Sequence, residues 1–180
     1  MVMKKIYWFI GILSLLSFNS CSSDQDNFYE EQIPADIGRI SLNNSNLPIY
    51  NADIYESSTD NSGGKIYEVT LSDNYSPTGT RNANVALYLE IYRPYNTPLE
   101  GTYGLGNATG KAVDFVEFYR NLTFSNGYVS SFSFILEDAD FNTGTLKITY
   151  IGNDRYYIVY QFTTIYGDYI NGEYTGFVSG

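Results

Sequence analysis

From Ile37 to the end of the chain, apolar side chains recur at every second position, in runs broken by Gly, Asn, Asp and Pro. A period of two lines up alternate side chains on one face of an extended strand and cannot make one face of a helix. The clearest run is 85–92, where Val85, Leu87, Leu89 and Ile91 share one face and Ala86, Tyr88, Glu90 and Tyr92 the other. Similar runs predict strands near 37–42, 48–55, 65–72, 100–105, 111–119 and 127–137. The C-terminal part predicts a meander of 144–151, 155–165 and 169–178, joined at Gly152-Asn153-Asp154 and Tyr166-Gly167-Asp168. Turns this short make consecutive strands antiparallel.

Strands of this kind must bury one face, so the chain is expected to be all-β, an antiparallel β-sandwich of nine or ten strands. A calycin- or lipocalin-like meander barrel is the alternative. The stretch 73–84, rich in Asn, Ser, Gly and Pro, reads as a long loop with room for a crossover between two sheets, which favours the sandwich. The short connections elsewhere favour a meander that curls on itself. Strand 155–165 is apolar on both faces, so it is central or one of its faces lines a cavity. Gly172 and Gly176 flank Tyr174 on one face, where missing side chains permit a bend or close packing.

The first twenty residues differ in kind. Lys4 and Lys5 precede an apolar run from Ile6 to Phe18, and small or polar residues lead to Cys21. That is the pattern of an export signal, and it is shorter than the roughly 20 apolar residues a spanning helix needs. Residues 21–35 carry Asp24, Asp26, Glu30 and Glu31 with no basic residue and read as an acidic tether. The expected organisation is a signal peptide over 1–20, a tether over 21–35 and one all-β domain over 36–180.

Phe18-Asn19-Ser20-Cys21 resembles a bacterial lipobox, and Ser20-Cys21-Ser22-Ser23-Asp24 is similar to the junction of Bacteroides-type (Bacteroidota) surface lipoproteins. The resemblance implies that Cys21 is acylated and becomes the mature N-terminus, anchored by its acyl chains to the outer membrane. Asp24 and Asp26 match the acidic stretch that in this group implies exposure at the cell surface. Two or more acyl chains anchor stably where one binds marginally. The segments Gly144-Thr145-Leu146-Lys147-Ile148-Thr149 and Gly172-Glu173-Tyr174-Thr175-Gly176 also resemble the closing hairpins of small lipoproteins of this group, whose function is uncharacterised.

Charge and missing residue types narrow the chemistry. Without Lys4 and Lys5 the remainder holds eight basic against twenty acidic residues, a balance that opposes nucleic acid and anionic lipid. The chain has no histidine, one cysteine and one tryptophan, Trp8 in the signal. A Ser-His-Asp or Cys-His arrangement therefore cannot be assembled, nor a zinc site of the usual nitrogen and sulfur ligands. No enzyme activity and no cofactor are expected.

Four groups of residues invite a chemical reading. The stretch Gly101 to Lys111 is rich in glycine, but Leu105 and Ala112 break phosphate-loop spacing and no helix follows, so a flexible hairpin loop is the better reading. Asp138, Asp140 and Asn142 alternate like the start of a calcium loop, with Glu137 beside them, yet Thr143 and Thr149 stand where an EF-hand needs Gly and Glu. A looser calcium site is weighed there against a polar turn. Asp114 and Glu117 lie three apart on a strand and so face opposite ways, unsuited to a glycosidase pair.

Tyrosine is the fourth. Eighteen remain after Tyr7, and a flat face with a hydroxyl suits sugar rings or protein surfaces, although tyrosine is also a favoured strand residue. Tyr88 and Tyr92, on the polar face of their strand, and Tyr103, in the glycine-rich stretch, are the candidate ligand-binding residues. The expected function is a non-catalytic, lipid-anchored surface lipoprotein binding an extracellular glycan or an outer-membrane partner protein. Two alternatives are an assembly component pairing through sheet edges and a barrel holding a small apolar ligand.

Overall fold

The computed structural model describes residues 37–106 and 110–180. Cys21, the tether and the signal segment lie outside the described residues, as does the 107–109 part of the glycine-rich stretch. Among these residues twelve strands form, rather than the nine or ten expected: β1 (Ile37–Leu42), β2 (Ser45–Ile49), β3 (Asn51–Thr59), β4 (Lys65–Ser72), β5 (Thr80–Arg93), β6 (Gly101–Leu105), β7 (Ala112–Ser125), β8 (Tyr128–Ser131), β9 (Phe134–Leu136), β10 (Phe141–Gly152), β11 (Arg155–Thr164) and β12 (Tyr169–Ser179). A 3₁₀ turn, Asp138–Asp140, stands before β10.

The strands close into a barrel of eight, in the order β11, β10, β6, β7, β5, β4, β3, β12, with β12 pairing back onto β11. This corrects the expected sandwich in favour of the barrel alternative. The reason lies in residues 73–84. They carry no crossover, because β4 and β5 are immediate antiparallel neighbours (Val69 opposite Leu89, Leu71 opposite Leu87). The strand resumes at Thr80, and only 73–79 is loop. β12 completes the ring by pairing antiparallel along β11 and, at Val178 and Ser179, parallel with Ala52 and Asp53 of β3. The β1–β2 hairpin extends the same edge of β12, with Ile37–Leu42 opposite Ile170–Thr175.

The order departs from a pure meander at one place. β6 lies between β10 and β7, meeting β7 in a short parallel pairing of Gly104 with Ala112 and Leu105 with Val113. The glycine-rich stretch is therefore not the antiparallel hairpin expected of it. Register shifts in β3–β4, β5–β7 and β10–β11 mark bulges, the device by which a sheet bends into closure.

Alternation decides what faces inward. Val85, Leu87, Leu89 and Ile91 are all fully buried, packed with Val69, Leu71, Val116, Phe118, Ile158 and Phe162 in one contiguous cluster. Three tyrosines share this interior, and each satisfies its hydroxyl on a backbone carbonyl: Tyr103 on Leu99, Tyr160 on Arg39 (3.0 Å) and Tyr174 on Phe177 (2.8 Å). Such pairing removes the cost of burying a phenol. Burial of each such side chain contributes roughly 1.5–3 kcal/mol. Strand β11 carries apolar residues outward as well as inward, but Tyr157 on its outer side and Ile165 just past its end are exposed, so that face covers no cavity.

Candidate functional site

A second, smaller cluster lies on the outside of the barrel: Ala83, Ala86, Tyr119, Leu122 and Phe124, with Tyr75, Tyr88, Val129 and Ile135 against it. It exists because 73–79 folds back over the outer face of β5 and β7. Asp73 holds the loop by accepting from the backbone N–H of Asn84 (2.9 Å) and Val85 (3.2 Å) and from the Asn84 amide (2.7 Å). At its far end the loop is clipped to the β7–β8 turn by reciprocal bonds, Asn126 N–H to the Gly79 carbonyl (2.8 Å) and Gly79 N–H to the Asn126 side chain (3.0 Å). That turn is Asn126-Gly127, both with positive φ (51° and 86°), the geometry of a tight type I′ hairpin. Tyr75 stands edge-on to Phe124 with ring centroids 5.1 Å apart.

Between this loop, the turn and the last residues of β12 the outer wall is concave, a cleft of about 560 Å³. Its floor comes from alternate outward residues of four neighbouring strands: Asp53 and Tyr55 of β3, Glu68 and Thr70 of β4, Ala86 and Tyr88 of β5, Glu117 and Tyr119 of β7. Tyr75, Tyr128, Ser179 and Gly180 form its rim. Register places Thr70 opposite Tyr88, Tyr88 opposite Glu117 and Glu68 directly opposite Glu90. The size is that of a small-molecule site.

The hydroxyls of the cleft are joined to carboxylates in it and, at Glu90, beside it. Tyr119 donates to Glu117, Tyr88 to Glu90 at 3.4 Å, and Ser179 to Asp53 at 2.7 Å. Burial, followed by the charges of Glu68 and Glu90, holds the Tyr88 phenol far above its ordinary value. Burial and then the Glu117 carboxylate do the same for Tyr119. Glu90 is itself shifted upward, by burial first and by the charge of Glu68 next. With their phenols held upward, these tyrosines are neutral hydrogen-bond donors at neutral pH.

The candidate tyrosines separate. Tyr88 lines the cleft. Tyr92, on the same outer face, is tied down: its hydroxyl donates to Asp60 (3.0 Å), whose carboxylate also accepts from Ser62 N–H (2.7 Å) and Gly64 N–H (2.8 Å) and so closes the β3–β4 connection. Tyr103 is 0% exposed in the barrel core. It belongs to β6 rather than to a loop, so it offers no surface to a ligand. Lys111, at the end of the glycine-rich stretch, gives its ammonium to the carbonyls of Pro98 and Glu100.

The acidic turn is a cap. Asp138 accepts from the Val116 N–H at 3.0 Å, Asp140 from the Glu137 N–H at 2.9 Å, and Asn142 is exposed on β10. Among the described residues no group of three or more His, Cys, Asp or Glu side chains is placed to hold a metal ion. Asp114, the bulged residue of β7, lines a separate shallow cleft with Asp138 and Asn142, whereas Glu117 faces the tyrosine cleft. The two carboxylates do not converge.

Sequence reasoning reached Tyr88 and weighed Glu117 only as half of a glycosidase pair, and it missed Tyr55, Glu68, Tyr75, Tyr119 and Tyr128. The outward positions of β4, β5 and β7 were legible one strand at a time. Which of them become neighbours depends on register, which no single strand contains. Comparison of the chain with protein-family models, curated proteins and solved structures returns no match.

Proposed function

We propose that this protein is a non-catalytic lipoprotein, anchored to the outer membrane through acylated Cys21 and facing the cell surface, that captures an extracellular ligand in the cleft on the outer wall of its barrel. A glycan or an exposed segment of an outer-membrane partner protein is the ligand class. The single observation that carries this is the convergence of Tyr55, Tyr75, Tyr88, Tyr119 and Tyr128 around one concave site. Tyrosine clusters of that kind combine flat apolar area with hydrogen bonding at low entropic cost. The barrel interior supports this choice over an interior apolar ligand, because Phe118, Phe162, Tyr160 and Tyr174 fill it.

Assembly through sheet edges has less to stand on. Among the described residues ring closure leaves short strands at the edges: β2, with five residues including Pro48, which cannot donate to a ladder, and β8 and β9, with four and three residues, each paired with β7 alone. The polarity of the wall, with Asp53, Glu68, Thr70 and Glu117 outward and aliphatic residues inward, is also opposite to that of a membrane-spanning barrel.

Two measurements test the reading. Palmitate labelling and cell fractionation of Cys21→Ser are expected to show unlabelled protein that is released or stalled unprocessed. Processed, surface-exposed and membrane-bound Cys21→Ser would overturn the anchor. For the cleft, the detergent-solubilised protein on a glycan array, with pulldown from surface-labelled cells, is expected to find a ligand that Tyr88→Ala and Tyr128→Ala each weaken about tenfold, as for truncated aromatic anchors. Binding indifferent to both changes would remove the cleft as the site.

A further inference from the structure

The cleft has a one-sided electrostatic character. Asp53, Glu68 and Glu117 line it, Glu90 lies directly beside Glu68 on the next strand, and among the described residues no Lys or Arg takes part in its wall. Elsewhere the same protein pairs its outward acids with bases on adjoining strands, Glu56 with Lys65 and Glu173 with Arg39. Here, among the described residues, the carboxylates are met by the neutral hydroxyls of Tyr88, Tyr119 and Ser179. Like charges directly opposite on neighbouring strands destabilise a sheet, and partial burial strengthens the repulsion. An anion would add to it, and a neutral ligand would leave it in place. A cation would relieve it, and electron-rich tyrosine faces attract cations too.

We propose that the cleft binds an ammonium-bearing organic ligand, its cationic nitrogen seated at the Glu68 and Glu117 carboxylates, with Glu90 adding its charge from beside Glu68, and its carbon skeleton against the rings of Tyr55, Tyr88 and Tyr128. The inference rests on the reading of this cleft as the ligand site and adds the charge of what enters it. A volume of about 560 Å³ suits a few sugar rings bearing amino groups, or a polyamine.

The test is calorimetry on the full-length protein in a neutral detergent with three probes: glucosamine trimer, which carries ammonium groups, N-acetylglucosamine trimer, its uncharged counterpart, and spermidine. Glucosamine trimer or spermidine is expected to bind about tenfold or more tighter than the acetylated trimer, the margin of one charge-assisted contact. The stronger of the two identifies the source as amino sugar or polyamine. The double substitution Glu68→Gln with Glu90→Gln, which keeps shape and hydrogen-bond acceptors, is expected to abolish that margin while raising Tm. Equal binding of charged and acetylated trimers that Tyr88→Ala weakens would overturn the cationic preference and leave the cleft as the site. Binding of the cations that Tyr88→Ala does not change would overturn both. Failure of both cations to bind at millimolar concentration would overturn the ligand class, with the glycan array deciding the site separately.

Discussion

Gly172 shows how much one absent side chain can decide. It lies in β12 beneath Tyr160, and a Cβ added there would stand 2.1 Å from the Arg39 carbonyl oxygen and 2.4 Å from the Tyr160 hydroxyl, the two atoms that bond to each other at 3.0 Å. Gly172→Ala is therefore expected to cost roughly 2–4 kcal/mol, combining overpacking with a lost buried hydrogen bond, read by urea denaturation. Adding Tyr160→Phe should not rescue it, because the carbonyl contact remains. Rescue would mean that the hydroxyl alone was the obstacle. The sequence marked this position, with glycines flanking Tyr174 on one face, as one of close packing or a bend. It could not say what packs, since Arg39 lies more than a hundred residues away.

At the level of elements, the cleft is a product of one loop and three registers. Asp73 fixes the loop by capping Asn84 and Val85, and carboxylate bonds to backbone N–H groups are worth about 1.5–3 kcal/mol each when charged. Asp73→Ala is expected to speed hydrogen exchange at the Asn84 and Val85 amides and to weaken ligand capture while the barrel stays folded. Protected amides in that variant would show that the loop is held by Tyr75 and Phe124 instead. The facing strands give a pH signature. In the folded protein burial and Glu68, opposed by the Tyr88 hydroxyl and reinforced by Asp114 and Glu117, hold Glu90 above its ordinary value of 4.5. A raised folded value means a stabilising contribution that is fully present below the unfolded value and lost as pH rises through the folded one. The cleft should thus grow less favourable from about pH 4.5 toward neutrality. Glu68→Gln is expected to flatten that decline and to add about 0.2–1 kcal/mol at pH 7, measured by denaturation at pH 5 and pH 7. An unchanged profile would exclude the repulsion.

For the whole molecule, β12 is the closing element. It pairs with β11 along nine residues, with β1 along six and with β3 at its end, so removing residues 169–180 takes partners from three strands at once. That deletion is expected to abolish cooperative unfolding and near-UV circular dichroism, where loss of a peripheral strand would only lower Tm. Much of the strand pattern was legible without tertiary information, because the period of two acts over a few residues: β1 and β4 fall where the pattern places them, and Val85, Leu87, Leu89 and Ile91 point inward as their alternation requires, whereas the runs 48–55 and 127–137 each divide into two strands, β2 with β3 and β8 with β9. The positive φ of Asn153 and Asp154 likewise follows from local turn chemistry. Closure was not legible, because nothing in 73–84 distinguishes a crossover from a loop that folds over its own sheet. Nor was the cleft, since Glu68, Glu90 and Glu117 become neighbours only through β4–β5 and β5–β7 registers set by the packing of the opposite, inward face. By itself the sequence determined an all-β chain with alternating faces. Only the tertiary structure decided that those faces close into a barrel, and which outward residues meet, because both depend on contacts between segments far apart in the chain.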